Sequence, residues 1–249
     1  MQEITSVNND LVKEFVKLQQ KKYRDKENKF LLEGKKCVEE AYNAGINIEC
    51  AFVLKENFKE YKFLDDKIIL TCEAVLKKIS TTDSAPEIVA IAQKKETQIP
   101  NNAKKIVLLE NIKDLGNLGT ILRTSAAFGA DGVVLYGDEC ADMYNPKCVR
   151  SSVGNLWKIP VAYMQSLKEL QENFSNFERI ATLPRAKQYL KQYTTVQKPT
   201  LVMFGSEADG LSEELIKFST QSIKIEMADN VESLNLSVSC AIVLYKLFL

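Results

Sequence analysis

Three short apolar runs constrain this chain more than anything else in it: KIVLLE (105–110), GVVLYG (132–137) and TLVMFG (200–205). None alternates polar with apolar residues, as a strand with one wet face would. Short apolar runs of this kind are expected of strands covered on both faces, and such strands form parallel sheets flanked by helices. Helical stretches stand where that arrangement needs them. LGTILRTSAAFGA follows the first run, and LSEELIKFS follows the third. IPVAYM, RIATL and SIKIEM read as further strands, and the chain closes on the apolar helix LSVSCAIVLYKLFL. The alternation predicts an α/β domain built on a parallel sheet.

The front of the chain has its own alternation. IECAFVL, KIILTC and EIVAIAQ read as strands, and EAVLKKIS as a short helix. The stretch from Asn8 to Gly45 reads as two helices. The first carries Leu11, Val12, Phe15, Val16 and Leu18 at helical spacing; the second runs from about Glu33 to Asn43 and stops at Gly45. Between the two halves lies KKETQIPNNAKK, polar, with one proline and no apolar period, the best linker in the chain. A boundary near residue 100 then divides the 249 residues into a small α/β domain over 1–98 and a larger one over 103–249.

Composition enters mainly through what it excludes. There is no histidine, so Ser–His–Asp and Cys–His catalysis and His-ligated zinc are out. Proton handling would rest on Asp, Glu, Lys, Tyr, Cys, Arg or the substrate itself. Net charge is zero, so attraction to nucleic acid needs a local patch. One candidate is the segment holding Lys13, Lys17, Lys21, Lys22, Arg24, Lys26 and Lys29, opposed only by Asp10, Glu14, Asp25 and Glu27. It is either a solvated helical face or a phosphate-binding one. No run approaches the length of a membrane span, the first ten residues hold no signal-peptide core, and the six cysteines form no CxxC pair. An intracellular, cytoplasmic protein with reduced thiols is the expectation.

In open α/β sheets ligands sit outside the carboxyl ends of strands, and three such exits are unusual. The first, ENIKDLGNLGTILRTSAAFG, places Asn117 and Arg123 on one helix. A mid-helix arginine is ordinarily just exposed; its functional reading is recognition of phosphate or carboxylate by a planar fixed cation. The second, FGSEADGLS, sets Glu207 between Gly205 and Gly210 in a tight turn, either as a solvent-facing residue or as a polar anchor. It is no GxGxxG fingerprint, because the spacing differs and a carboxylate stands in the middle. The third, IEMADNVESLN, leads into the last helix. Ser233 is a reasonable N-cap there, with Asn235 in the first turn.

Taken together and in order, NLGTILRTSAAFG, FGSEADGLS and IEMADNVESLNLSVSCAI resemble the three motifs of the SpoU (TrmH-like) RNA ribose methyltransferases of the SPOUT superfamily. YNPKCVRSSVGNLWKIPV is similar to that family's segment between motifs one and two. The front half, through TTDSAPEIVAIAQ, resembles the N-terminal substrate-binding domain of the ribosomal-RNA branch. The resemblance implies S-adenosylmethionine-dependent methyl transfer to a ribose 2′-hydroxyl of structured RNA, ribosomal RNA favoured and transfer RNA open. It also implies a C-terminal SPOUT domain with a deep trefoil knot, preceded by the small RNA-binding domain, in a homodimer whose site is completed across the pair.

By motif position, Gly205, Ile225 and Leu234 are implied cofactor contacts, with Leu183 and Met227 beside them. Asn117, Arg123, Glu207, Ser233 and Asn235 carry the polar roles, and Lys21, Lys22, Arg24 and Lys26 would meet RNA phosphates. The family's base is held to be the motif-one arginine, an uncomfortable role for a group that holds its proton throughout the physiological range. Arg123 is better read as binding the target phosphate and orienting the hydroxyl, with that phosphate helping to accept the proton. Two positions depart from the family pattern: Glu226 stands where proline is common, and Ala208 where glycine often is. A non-catalytic RNA-binding or assembly factor on the same fold is the competing class. A dehydrogenase lacks its glycine fingerprint.

Overall fold

The computed structural model describes residues 2–249. It divides into two compact units: residues up to Glu96 together with Asp142–Trp157, and Thr97–Ala141 together with Lys158–Leu249.

The first unit contains strands β1 (Gln2–Glu3), β2 (Lys29–Glu33), β3 (Ile48–Leu54), β4 (Ile68–Thr71) and β5 (Ile88–Gln93). Its helices include α1 (Asp10–Lys17), α2 (Lys21–Glu27), α3 (Lys35–Asn43) and α4 (Glu73–Ile79). The sheet runs β1-β4-β3-β5-β2, parallel on one side and antiparallel where β5 meets β3 and β2. Val12, Phe15 and Leu18 pack with Leu31, Phe52, Val75 and Ile91 in its core.

The reading of two helices between Asn8 and Gly45 is corrected here. The first helical reading divides into α1 and α2, the basic segment forming α2 by itself. Asn28 then takes the left-handed conformation (φ 52°), which asparagine tolerates better than most residues, and ends that helix. The chain can then turn into β2, whose Phe30, Leu31 and Leu32 are fully buried against β5. β2 was hidden because only three apolar residues mark it, between charged neighbours.

The second unit is an α/β sandwich. Its strands are β6 (Lys105–Glu110), β7 (Gly132–Tyr136), β8 (Val161–Met164), β9 (Glu178–Thr182), β10 (Gln188–Tyr189), β11 (Thr200–Phe204) and β12 (Gln221–Lys224). They lie in the order β10-β12-β9-β11-β6-β7-β8, and every pairing is parallel. Every residue of β7 and β11 is buried, as strands covered on both faces require. The helices are α5 (Leu115–Ala127), then, after the excursion to the first unit, α7 (Leu167–Phe174), α8 (Glu213–Phe218) and α9 (Leu236–Phe248). From β6 the chain steps outward through β7 to β8, while β11, β9 and β12 lie on the other side of β6. Such a reversal opens a crevice at the carboxyl ends of the strands.

A continuous second domain over 103–249 is also corrected. Asp142–Trp157, including α6 (Pro146–Ser152), packs in the first unit. Tyr144 Oη donates to Lys95 O at 2.6 Å, and the Tyr144 and Trp157 rings lie 4.8 and 5.4 Å from Phe30. Arg150 pairs with Glu33, whose side chain is 1% exposed, and donates to Thr81 Oγ1 at 2.7 Å. These links join residues more than a hundred positions apart in some cases, which no local period reports.

Candidate active site

The sheet order sets β12, β9 and β11 side by side, so the loops leaving their carboxyl ends are neighbours. Those loops carry the residues read as cofactor contacts. Leu183 follows β9 and is tied to the adjacent strand by its N–H to Ile223 O at 2.9 Å. Gly205 follows β11 and is buried; a Cβ there would lie 1.9 Å from Gly210 C and 2.1 Å from Leu211 N. Any side chain would therefore force the turn open. Gly210 itself sits at φ +70°, and Ser206 closes the turn by accepting from Asp209 N at 3.0 Å and Gly210 N at 3.1 Å. Ile225 and Met227 follow β12 and are half-buried, and Leu234 is 36% exposed. Glu226 pairs with Lys191 at 3.4 Å.

A chain of hydrogen bonds joins the other loops. Asn117 Nδ2 donates to Glu207 Oε1 at 2.7 Å, and Asn235 Nδ2 donates to Asn117 Oδ1 at 3.1 Å. Asn235 Oδ1 accepts from Ser237 N at 2.9 Å, Ser237 Oγ at 2.6 Å and Val238 N at 3.3 Å. The direction of this chain is fixed by chemistry. The N–H groups opening α9 can only donate, so they take the oxygen of Asn235. Its amide nitrogen must then donate to Asn117, whose own nitrogen is left for the Glu207 carboxylate. Flipping either amide would set donor against donor.

Asn235 is therefore the N-cap of α9, and the expectation that Ser233 caps this helix is corrected. The carbonyl of asparagine reaches the first free N–H groups as well as serine's hydroxyl does. Ser233 lies two residues earlier on an exposed irregular stretch and is not drawn into the chain. α5 begins at Leu115 and is capped by Asp114, whose Oδ1 accepts from Asn117 N at 2.7 Å. Asp114 and Ser237 were missed as members of the site. An Asp just before an apolar helical run signals a cap and could have exposed the former; nothing local marks the latter.

Arg123 lies on α5 six residues beyond Asn117, which places it about 9 Å along the axis and about 120° around it. It is exposed, and no hydrogen bond or ion pair holds it among the described residues. The structure thus brings Asn117, Glu207 and Asn235 together and leaves Arg123 reaching outward. In the first unit, Lys21, Lys22 and Lys26 are exposed on α2. Arg24 is not available to RNA, and that reading is corrected. It is 1% exposed; Nε and Nη2 donate to Asp142 Oδ2 at 2.8 and 2.7 Å, and Nη1 donates to the Leu18 and Gln19 carbonyls at 3.0 and 2.8 Å.

The family model of the SpoU rRNA Methylase family matches residues 104–245, and that of the MRM3-like substrate binding domain matches residues 9–90. The chain belongs to the SpoU rRNA methylase family. It is 36% identical to an uncharacterized tRNA/rRNA methyltransferase of Synechocystis over 98% of this chain and 92% of that one. It is 31% identical to the 23S rRNA (guanosine(2553)-2′-O)-methyltransferase of Bacillus subtilis, with 99% of each covered. Among solved structures, the AdoMet-bound rRNA methyltransferase of Sinorhizobium meliloti superposes with a TM-score of 0.88 at 27% identity, covering 98% of this chain and 96% of that one. The cofactor of this family is S-adenosylmethionine. The walls at β9, β11 and β12 suit it. Half-buried Leu183, Ile225 and Met227 and the backbone of a glycine turn can meet a flat adenine and the methylenes of the methionine chain.

Proposed function

We propose that this chain methylates a ribose 2′-hydroxyl of structured RNA, ribosomal RNA favoured, from S-adenosylmethionine held by Leu183, Gly205, Ile225, Met227 and Leu234. The observation that carries this is the directed chain Glu207–Asn117–Asn235, which ties the three motif loops into one constellation beside the glycine turn. When bound, the cofactor supplies an electrophilic methyl on sulfur. The chain's own residues position the nucleophile. Arg123 takes the target phosphate in its planar fork and so orients the ribose, and the phosphate helps accept the hydroxyl proton. Glu207, Asn117 and Asn235 hold the loops rigid, and Ser233 lines their mouth.

Arg123 faces away from its own Asn117, so the site is read as completed by a second copy. Val238, Ile242 and Tyr245 form an exposed apolar stripe on α9, continued by exposed Leu249 just beyond it; α9 packs against α5, with the Tyr245 ring 5.7 Å from Phe128. That stripe suits a homodimer that would bring Arg123 of one copy to the loops of the other. Tyr245→Asp would then yield a monomer by sedimentation and lose transfer activity. The return of α9 to α5, with Val196 N donating to Leu247 O at 2.8 Å, is read as the tail of a knotted chain. The first unit would hold the RNA through Lys21, Lys22 and Lys26. A cytoplasmic place goes with a ribosomal-RNA substrate; no helix among the described residues is long and apolar enough to cross a membrane.

Calorimetric titration with S-adenosylmethionine, and maps of ribose methylation in total RNA with and without the gene, test the reading. Absence of cofactor binding together with unchanged maps would leave only the assembly-factor alternative. A lost mark on transfer RNA would move the substrate class.

A further inference from the structure

The edge of the second sheet carries a basic and aromatic patch apart from the polar chain of the site. β10 pairs with β12 so that Tyr189 stands opposite Lys224, and the pleat puts both on one face, while buried Ile223 and its partner Gln188 take the other. Tyr193 Oη, 2.7 Å from Gln221 Oε1 and in contact with Gln188, ties the two short strands together on that other face. Lys224 Nζ lies 4.4 Å from the Tyr189 ring centroid, and Lys191 Nζ lies 5.0 Å from it. Tyr189 is 37% exposed, and Arg185 and Lys187, both exposed, sit on the loop leading into β10. Among the described residues a carboxylate answers these cations: Glu226 stands 3.4 Å from Lys191 Nζ.

A tyrosine ring flanked by two ammonium groups at a sheet edge is suited to a single-stranded nucleic acid. A base can stack on the ring, displacing a lysine that is then free for the adjoining phosphate. Stacking on an aromatic face is worth more than an exposed cation over the same ring, so the exchange favours the RNA. The position also matters: Lys224 directly precedes Ile225, and Arg185 follows Leu183 closely, so the patch borders the loops assigned to the cofactor.

We propose that Tyr189, with Lys191 and Lys224, is a stacking platform that seats an unpaired base of the substrate RNA flanking the target ribose. The proposal rests on the methyltransferase reading of the neighbouring loops.

The test measures binding of a fluorescent mixed-sequence single-stranded RNA of about ten nucleotides, and of a duplex of equal length, to the full chain without cofactor. Tyr189→Ala should weaken single-strand binding about tenfold, Tyr189→Phe should restore it, and Tyr189→Leu should not, because a leucine keeps the apolar bulk without the ring face. Lys191→Ala with Lys224→Ala should reduce the slope of log affinity against log salt by about 1.4, two phosphates' worth for a single strand. Duplex binding should change little with Tyr189→Ala. Calorimetry with S-adenosylmethionine on wild type and variants separates the two claims. If wild type binds cofactor and RNA while these variants leave single-strand affinity and salt slope unchanged, the platform is overturned and the methyltransferase reading stands. If wild type binds no cofactor, that reading falls, whatever the patch does. Equal losses for single strand and duplex would also overturn the stacking role.

Discussion

Arg24 and Arg123 are two arginines set within helices, and in the sequence each reads as a cation for an RNA phosphate. The fold treats them oppositely. Every arm of Arg24 is occupied, by one carboxylate oxygen and two carbonyls, at 1% exposure. Arg123 is exposed and held by nothing among the described residues. A guanidinium with four of its five N–H donors engaged inside the protein has little to offer a ligand; one left free at the surface has all five. The number of free donors, and not the residue type, separates a cation held by the fold from one open to a ligand.

The contrast can be broken most sharply at Arg24. Arg24→Ala leaves Asp142, 10% exposed, without its cation and two carbonyls without donors. Removing one partner of a buried pair costs about 3–5 kcal/mol, which should appear as a lower urea midpoint for the first unit. Adding Asp142→Ala should recover part of the loss, since the uncompensated charge is then gone. RNA affinity of the folded fraction should keep its salt slope. A variant as stable as wild type but with a shallower slope would restore Arg24 to the RNA.

Arg123→Ala should do the reverse. Stability and S-adenosylmethionine affinity should stay near wild type, since nothing in the chain depends on this side chain. Methyl transfer should fall by about 10²–10³-fold, the range seen when one preorganised donor to a developing charge is removed. Turnover near the wild-type level would end the assigned role. Loss of cofactor affinity instead would place Arg123 in the binding pocket.

Asn235 permits a finer separation, because it caps α9 with its oxygen and holds Asn117 with its nitrogen. Asn235→Asp keeps a good cap, so stability should change by less than about 0.5 kcal/mol. It removes the donor and faces a carboxylate toward the Asn117 oxygen, so transfer should drop about tenfold. Asn235→Ala, by contrast, should also cost about 1 kcal/mol in a thermal melt through the lost cap. Full activity for Asn235→Asp would show that the chain's direction is irrelevant to the chemistry.

Much of the fold was legible because it is written in local periods. β6, β7 and β11 announce themselves as unbroken apolar runs, and the loops after β9, β11 and β12 follow from where a parallel sheet puts its carboxyl ends. The site residues came from motif order, and the hydrogen bonds of Asn117, Glu207 and Asn235 give that order a geometry. What stayed hidden depends on distant partners. Arg24 was misjudged because its counter-ion lies 118 residues away, and Asp142–Trp157 because its packing residues belong to another part of the chain. β2 was missed because its three apolar residues stand between charged ones at the end of a basic helical stretch, and β10 because two residues are too few to show a pattern. Ser233 lost the cap to Asn235 by a shift of two residues, within the uncertainty that always attends a helix end.

The lysines of α2 give the mildest test and complete the comparison with the buried arginine between them. Lys21, Lys22 and Lys26 are exposed; Lys22 stands 6.0 Å from the Tyr23 ring centroid, and Lys26 pairs loosely with Glu27 at 3.4 Å, both side chains well exposed. Contacts that weak do not hold a lysine against a phosphate, nor do they hold up the fold. Each single change to alanine should therefore leave the melting temperature unmoved. Each should cut RNA affinity only a few-fold and lower the salt slope by about 0.7–0.9, one phosphate's worth. All three together should add nearly independently, because separate phosphate contacts share no partner. A triple variant with wild-type slope would make this helix a merely solvated face, and the first unit would then have to grip RNA elsewhere.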